Sequence, residues 1–196
     1  MEETAVRTPP VMEPLKLSCT KSDCAADLHC FRESRRRALY PAGSCRSCGA
    51  TLVDWERVRR LDLQDAANTF ESLKKEWIRH HFWHEEVDQR ARNHALRKGR
   101  SGIRLSVEQR IRTSVGVKNS RDGRQTPWKG NVIYYAQHAT ACCCRRCIEY
   151  WHGIAQDEAL TDRQIAYFAE LCHRYILERL PDLPEQGQRV PPIRRK

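Results

Sequence analysis

Between Tyr134 and Ile154 four cysteines and two histidines crowd together: His138, Cys142, Cys143, Cys144, Cys147 and His152. Thiolates and imidazoles at such density are the donors of a zinc site. Cys144 and Cys147 are three apart, and Cys143 and Cys147 are one helical turn apart, so either pair can chelate one ion. The favoured set is His138, Cys143, Cys144 and Cys147, with His152 as the alternate. An iron–sulfur cluster is the weaker reading, since cluster-binding runs space their cysteines more evenly. Arg145 and Arg146 beside a helix start would also favour a reactive thiolate, but adjacent cysteines suit a ligand cluster better than a nucleophile.

A second set lies upstream. Cys19 and Cys24 bracket four residues, and Cys45-Arg46-Ser47-Cys48-Gly49 has the form of a zinc knuckle. Glycine after the second cysteine allows the tight turn that aims backbone amides at the sulfurs. Paired cysteines split by a linker predict a tetrahedral structural site from Cys19, Cys24, Cys45 and Cys48. Cys30 can stand in for Cys24, and His29 is a further substitute. Two zinc ions are therefore expected.

A third group sits on a predicted helix. His80 and His84 are four apart and can share a metal on one face. The zinc-protease pattern needs glutamate directly after the first histidine, and position 81 is histidine, so the protease reading is poor. What remains is a hydrolase, nuclease included, in which His80, His84 and His138 hold an ion, Asp88 orients a histidine and Gln137 positions substrate. The competing reading makes these histidines core residues satisfied by Asp88 or by backbone carbonyls.

The elements that must position these residues follow from periodicity. Leu63, Ala66, Phe70, Leu73, Trp77, Ala91 and Ala95 recur at helical spacing, predicting one long helix over 62–97 with Gly99 as its stop. Ser106 and Gln109 suggest a capping box for a short helix over 107–115. The β-branched and aromatic run over 131–136 has the length and composition of a strand. A helix from about Cys144 to His152 should follow, ended by Gly153. Thr161 and Gln164 form another capping box before a face of Ile165, Phe168, Cys172, Tyr175, Ile176 and Leu180, closed by Pro181. The expected fold is α+β and mainly helical, with one long central helix, a short β element and an N-terminal zinc-ribbon-like module. Its expected divisions are a mobile leader over 1–14, the module over 15–60, a core over 61–180 and a disordered basic tail over 181–196.

Formal net charge is +10 over 196 residues, which points to an anionic partner, nucleic acid before membrane. Candidate contacts are Arg35, Arg36 and Arg37 between the cysteine pairs, and Arg121, Arg124 and Lys129 around Trp128, whose ring can stack on a base. No apolar run reaches the ~20 residues of a membrane span. The acidic start Met1-Glu2-Glu3 does not resemble a secretory signal, so a cytoplasmic location is expected, with thiols or metal ligands rather than disulfides.

Asp122-Gly123-Arg124-Gln125-Thr126-Pro127, Ala136-Gln137-His138-Ala139-Thr140, Cys143-Cys144 with Cys147, and Trp151-His152-Gly153-Ile154 together resemble a bacterial family catalogued only as a domain of unknown function. The resemblance spans about 73–176, and longer members look similar over the N-terminal cysteines and Trp77–His84. Cys142 stands where that pattern has a small hydroxyl residue, which argues against it as a ligand. Asn131 replaces a histidine. The resemblance implies sites but no reaction. Three functions stay open: a zinc protein that binds nucleic acid, a metal-dependent hydrolase, and a structural zinc protein that bridges protein partners. A closed four-ligand site would be structural, and an open three-ligand site catalytic.

Overall fold

The computed structural model describes residues 17–33, 39–118, 120, 122–191 and 193. The leader over 1–14, Arg35, Arg36, Arg37, Arg121 and the last residues of the tail lie outside the described residues. Among those described there are seven α-helices: α1 (Trp55–Arg59), α2 (Ala66–Lys74), α3 (Trp77–His84), α4 (Gln89–Val115), α5 (Val132–Ala139), α6 (Arg145–His152) and α7 (Asp162–Arg179). No strand is present among them, only isolated bridges between Asp23 and Leu28 and between His29 and Glu76.

The expected β element is therefore corrected to helix α5. The Asn131 side chain accepts from the Ile133 amide at 2.9 Å, a cap that starts a helix. Burial then explains the misreading. Val132, Ile133, Tyr135, Ala136, Gln137, His138 and Ala139 are all buried, because α3, α4 and α7 surround α5. A short helix enclosed on most sides shows no polar stripe and resembles a buried strand. The zinc-ribbon-like module likewise has no paired strands among its described residues, which carry loops, a 3-10 turn at Cys24–Ala26 and α1.

The single helix expected over 62–97 divides into α2, α3 and the start of α4. Glu76 is extended (ψ 126°), and so are Glu85 (ψ 139°) and Asp88 (ψ 155°), which separates α3 from its neighbours. The Asp88 carboxylate then caps α4 through the Ala91 amide at 2.9 Å. Within α4 the helix breaks at Gly99 (φ 65°, ψ 177°). Two amides near that break are taken by the chain beyond Pro181. Arg100 N donates to Pro184 O at 2.9 Å and Ser101 N to Glu185 O at 3.3 Å, while Gln188 N reaches Leu96 O at 2.8 Å. Leu183 is buried there. The first part of the segment expected to be disordered thus seals the kink.

α7 packs on α4 and α5, α5 on α3, and α6 on α1. Tyr135, Trp151, Phe168, Tyr175, Ile103 and Ile111 are among the largest fully buried side chains. The N-terminal segment joins this core directly. His29 N donates to Lys75 O at 2.8 Å and Trp77 N to His29 O at 2.9 Å, while Phe31 and Trp55 pack against Trp151 with ring centroids 6.0 and 5.0 Å away.

Two candidate metal centres beside an arginine-lined cleft

The first centre gathers Cys24, His29, Cys45 and Cys48, whose donor atoms all lie within 4.8 Å of one another. Asp27, in the left-handed region (φ 56°), ends the 3-10 turn, and the bridge to Glu76 fixes His29. Gly49 (φ 79°) closes the knuckle with its amide on Cys45 O at 2.8 Å. Cys24 Sγ and Cys45 Sγ are 3.8 Å apart, and Cys48 Sγ lies 3.5 Å from His29 Nδ1. A tetrahedral ion with metal–sulfur bonds near 2.3 Å and metal–nitrogen bonds near 2.0 Å sets edges of about 3.8 and about 3.5 Å. Both contacts match.

The surroundings match as well. His29 Nε2 donates to Asp27 Oδ1 at 2.9 Å, which leaves the Nδ1 lone pair for an ion. Ser47 N points at Cys45 Sγ from 3.5 Å. Burial raises the Cys45 thiol, but amide donors, those of Ser47 and Cys48 among them, outweigh it and bring it down to about 6.

The second centre contains Cys143, Cys144 and Cys147, again with sulfurs within 4.8 Å of one another. A left-handed Ala141 (φ 55°) turns the chain out of α5, and Cys144 stands at the start of α6. Asp122 supports that start by accepting from Arg145 N at 2.8 Å and Arg146 N at 3.2 Å. Beneath the sulfurs lies Arg79, fully buried on α3. Its guanidinium donates to Cys147 Sγ at 3.1 Å, to Cys143 Sγ at 3.8 Å and to His138 O at 2.6 Å. Its charge is balanced by buried Glu76 at 3.0 Å, which also accepts from Trp151 Nε1 at 2.7 Å and from the Tyr150 hydroxyl. Hydrogen bonds from Cys143, Cys144 and Cys19, with Arg79 alongside, hold the Cys147 thiol well below its usual range.

Of the residues expected in the first centre, Cys24, Cys45 and Cys48 meet there, and His29 completes the group. Cys19 does not join them. It lines the second centre's cavity instead, outside the three sulfurs that lie within 4.8 Å of one another. His138 lines that cavity too, but it is not one of the grouped donors. Its ring is stacked between Phe82 and Trp128, with centroids 4.6 and 4.4 Å away, and Nε2 donates to Pro127 O at 3.2 Å. His152 is buried elsewhere, donating to Thr140 O at 3.0 Å. Cys30 donates to Cys19 O at 3.5 Å, while Cys142 and Cys172 form a buried thiol pair 3.4 Å apart.

The other group does not assemble. His80 and His84 stack with centroids 3.9 Å apart, and His84, which is exposed, donates through Nδ1 to His80 O at 2.8 Å. Asp88 is occupied by the α4 cap, by Gly130 N at 2.7 Å and by Tyr135 OH at 3.0 Å. Gln137 is fully buried, holding Ser114 and Cys142 O through its amide while Thr126 and Arg110 donate to its oxygen.

A cleft of about 290 Å³ opens over the second centre, with Arg32, Arg124, Arg146, Trp128 and Tyr150 in its walls. A hollow of about 760 Å³ shares Arg32, Arg146 and Tyr150 and adds Arg46 and Arg59. Trp128 keeps 37% of its surface exposed, and Lys129 is paired with Glu85 at 2.6 Å. Sequence reasoning did not single out Arg79, Glu76 or Asp27, and it gave Arg146 a role beside the thiols rather than in a cleft. For Asp27, its position two before a candidate ligand histidine was a readable signal.

The molecule is thus a helical protein with two cysteine-rich clusters that can hold metal ions. The family model "Domain of unknown function (DUF4186)" matches residues 67–177, and the chain belongs to that family. The second cluster lies within the matched stretch, whereas Cys24, His29, Cys45 and Cys48 precede it. No solved structure matches this chain. Among the described residues no helix is long and apolar enough to cross a membrane.

Proposed function

We propose that this protein binds two zinc ions and holds the backbone of a nucleic acid against the arginine-lined cleft beside the second. For zinc, the support is the donor set of thiolates and one imidazole, and edges of 3.8 and 3.5 Å in the first centre. An iron–sulfur cluster would hold its cysteine sulfurs farther apart than a single ion does.

The observation that carries the nucleic-acid reading is the convergence of Arg32, Arg124 and Arg146 on one cleft whose wall also offers Trp128. Planar guanidinium groups pair with phosphate oxygens, and an exposed indole can stack on a base. The adjoining hollow carries Arg32, Arg46, Arg59 and Arg146 against Glu33 and Glu149, so the positive surface continues past the cleft. Arg35, Arg36, Arg37 and Arg121 belong to this reading by sequence position, and the net charge of +10 agrees with it.

Fluorescence anisotropy with single-stranded and duplex oligonucleotides over a salt series tests it. Affinity should fall steeply as salt rises, and Arg124→Ala and Arg146→Ala should each weaken binding and flatten the salt slope by about 1. Binding indifferent to salt and to both substitutions would remove the proposal. Metal analysis of the same preparation should give about two zincs per chain.

A further inference from the structure

Three sulfurs around one tetrahedral ion leave a fourth vertex. Cys143, Cys144 and Cys147 supply the three, and two other donors line the same cavity: His138 and Cys19. His138 is poorly placed to move. Phe82 and Trp128 clamp both faces of its ring and Nε2 donates to Pro127 O at 3.2 Å, so Nδ1, although it has no partner, is fixed outside the group of sulfurs that lie within 4.8 Å of one another. Cys19 is differently situated. It lines the cavity beside Cys143, Cys144, Cys147 and Arg79, and Cys30 Sγ donates to its carbonyl at 3.5 Å, which holds its backbone there.

We propose that the Cys19 thiolate is the fourth ligand of the second ion, closing an all-cysteine centre that joins the N-terminal segment to the turn between α5 and α6. This rests on the zinc reading of that cluster. Four thiolates around a divalent cation carry a net charge of about −2, and the buried Arg79 guanidinium at 3.1 Å from Cys147 Sγ supplies the compensating second shell. On metal binding the thiol protons pass to solvent. The assignment gives both ions four protein ligands, with Cys24, His29, Cys45 and Cys48 for the first. It leaves Cys30, Cys142 and Cys172 as thiols. A closed centre of this kind is structural, and its role is to fasten the N-terminal segment beside the arginine cleft.

Cadmium-113 NMR of the full chain, with both ions exchanged for cadmium, tests the assignment. A four-thiolate cadmium resonates downfield of one with three thiolates and a nitrogen. Two resonances are expected, one in each range, and Cys19→Ser should move only the downfield one upfield. Should that variant fail to fold, the wild-type spectrum still decides, because without Cys19 neither site has four sulfurs. Two resonances in the three-thiolate range, or a downfield resonance untouched by Cys19→Ser, would overturn the Cys19 assignment while preserving two metal sites. A single resonance, lost on Cys45→Ser, would instead overturn the metal reading of the second cluster.

Discussion

Asp27 decides which nitrogen of His29 faces the sulfurs, because its carboxylate holds Nε2 at 2.9 Å. Burial, against the opposing pull of their backbone hydrogen bonds, determines how the other buried imidazoles respond to acid. Burial pushes both His138 and His152 down from 6.5 to about 4, with nearby Arg79 acting in the same direction. The unfolded chain accepts these protons near 6.5, whereas the folded protein refuses them until about 4. Their stabilising contribution is therefore complete above the unfolded value and is lost as pH falls toward the folded one. Urea unfolding midpoints should decline from about pH 7 to about pH 5. In His152→Gln, where an amide can still donate to Thr140 O, that decline should be shallower. An identical pH profile in the variant would show that His152 is protonated equally in both states.

At the scale of elements, the kink in α4 is the most exacting feature. Gly99 adopts φ 65° with ψ 177°, a region almost restricted to glycine, and a Cβ there would lie 2.4 Å from the Gln186 carbonyl carbon. Gly99→Ala should cost about 1–3 kcal/mol through backbone strain alone, and more if the Pro184–Gln188 strap is displaced. Equilibrium urea unfolding with an unchanged m-value measures it, and a loss below about 0.5 kcal/mol would mean the kink simply straightens. Legibility in the sequence follows the same physics. α7 was readable because Thr161 and Gln164 complete a capping box and one face carries Ile165, Phe168, Cys172, Tyr175 and Ile176. α5 was not, since burial on most sides removes the stripe that distinguishes a helix. The breaks between α2, α3 and α4 were missed because apolar spacing continues through Glu76 and Asp88, which interrupt the backbone without interrupting the pattern. At the sites, cysteine spacing located both clusters, but it could not sort ligands between them. Cys19 stands five residues before Cys24, yet the fold carries it to Cys147.

For the whole molecule, the relevant division is between what burial supports and what metal supports. α4, α5 and α7 share a continuous apolar core. The segment carrying the first centre adds Phe31, Cys45, Val53 and Val58 to that core, with Leu17, Ala50, Leu52 and Trp55 packed on it and only partly buried. A small segment of loops and short helical turns that holds an ion would draw part of its stability from it. Stripping metal with a strong chelator should therefore expose Trp55 and Trp151, seen as a red shift in emission, while far-UV circular dichroism keeps most of its helical signal. Unshifted emission would show that Phe31 and its neighbours suffice to hold the segment.

Glu76 has a further consequence for biosynthesis. Its carboxylate is buried against Arg79, and it also receives hydrogen bonds from Tyr150 and Trp151, the latter 75 residues further along the chain. During translation Glu76 leaves the ribosome well before those donors exist. Until α6 emerges, an unfinished chain must keep this acid hydrated, and Phe31 lacks the Trp151 ring that will cover it. The docking of the N-terminal segment is therefore completed only late, after most of the polypeptide has been made, and a nascent chain halted before Tyr150 would hold that segment only through its bridge to Lys75 and Trp77.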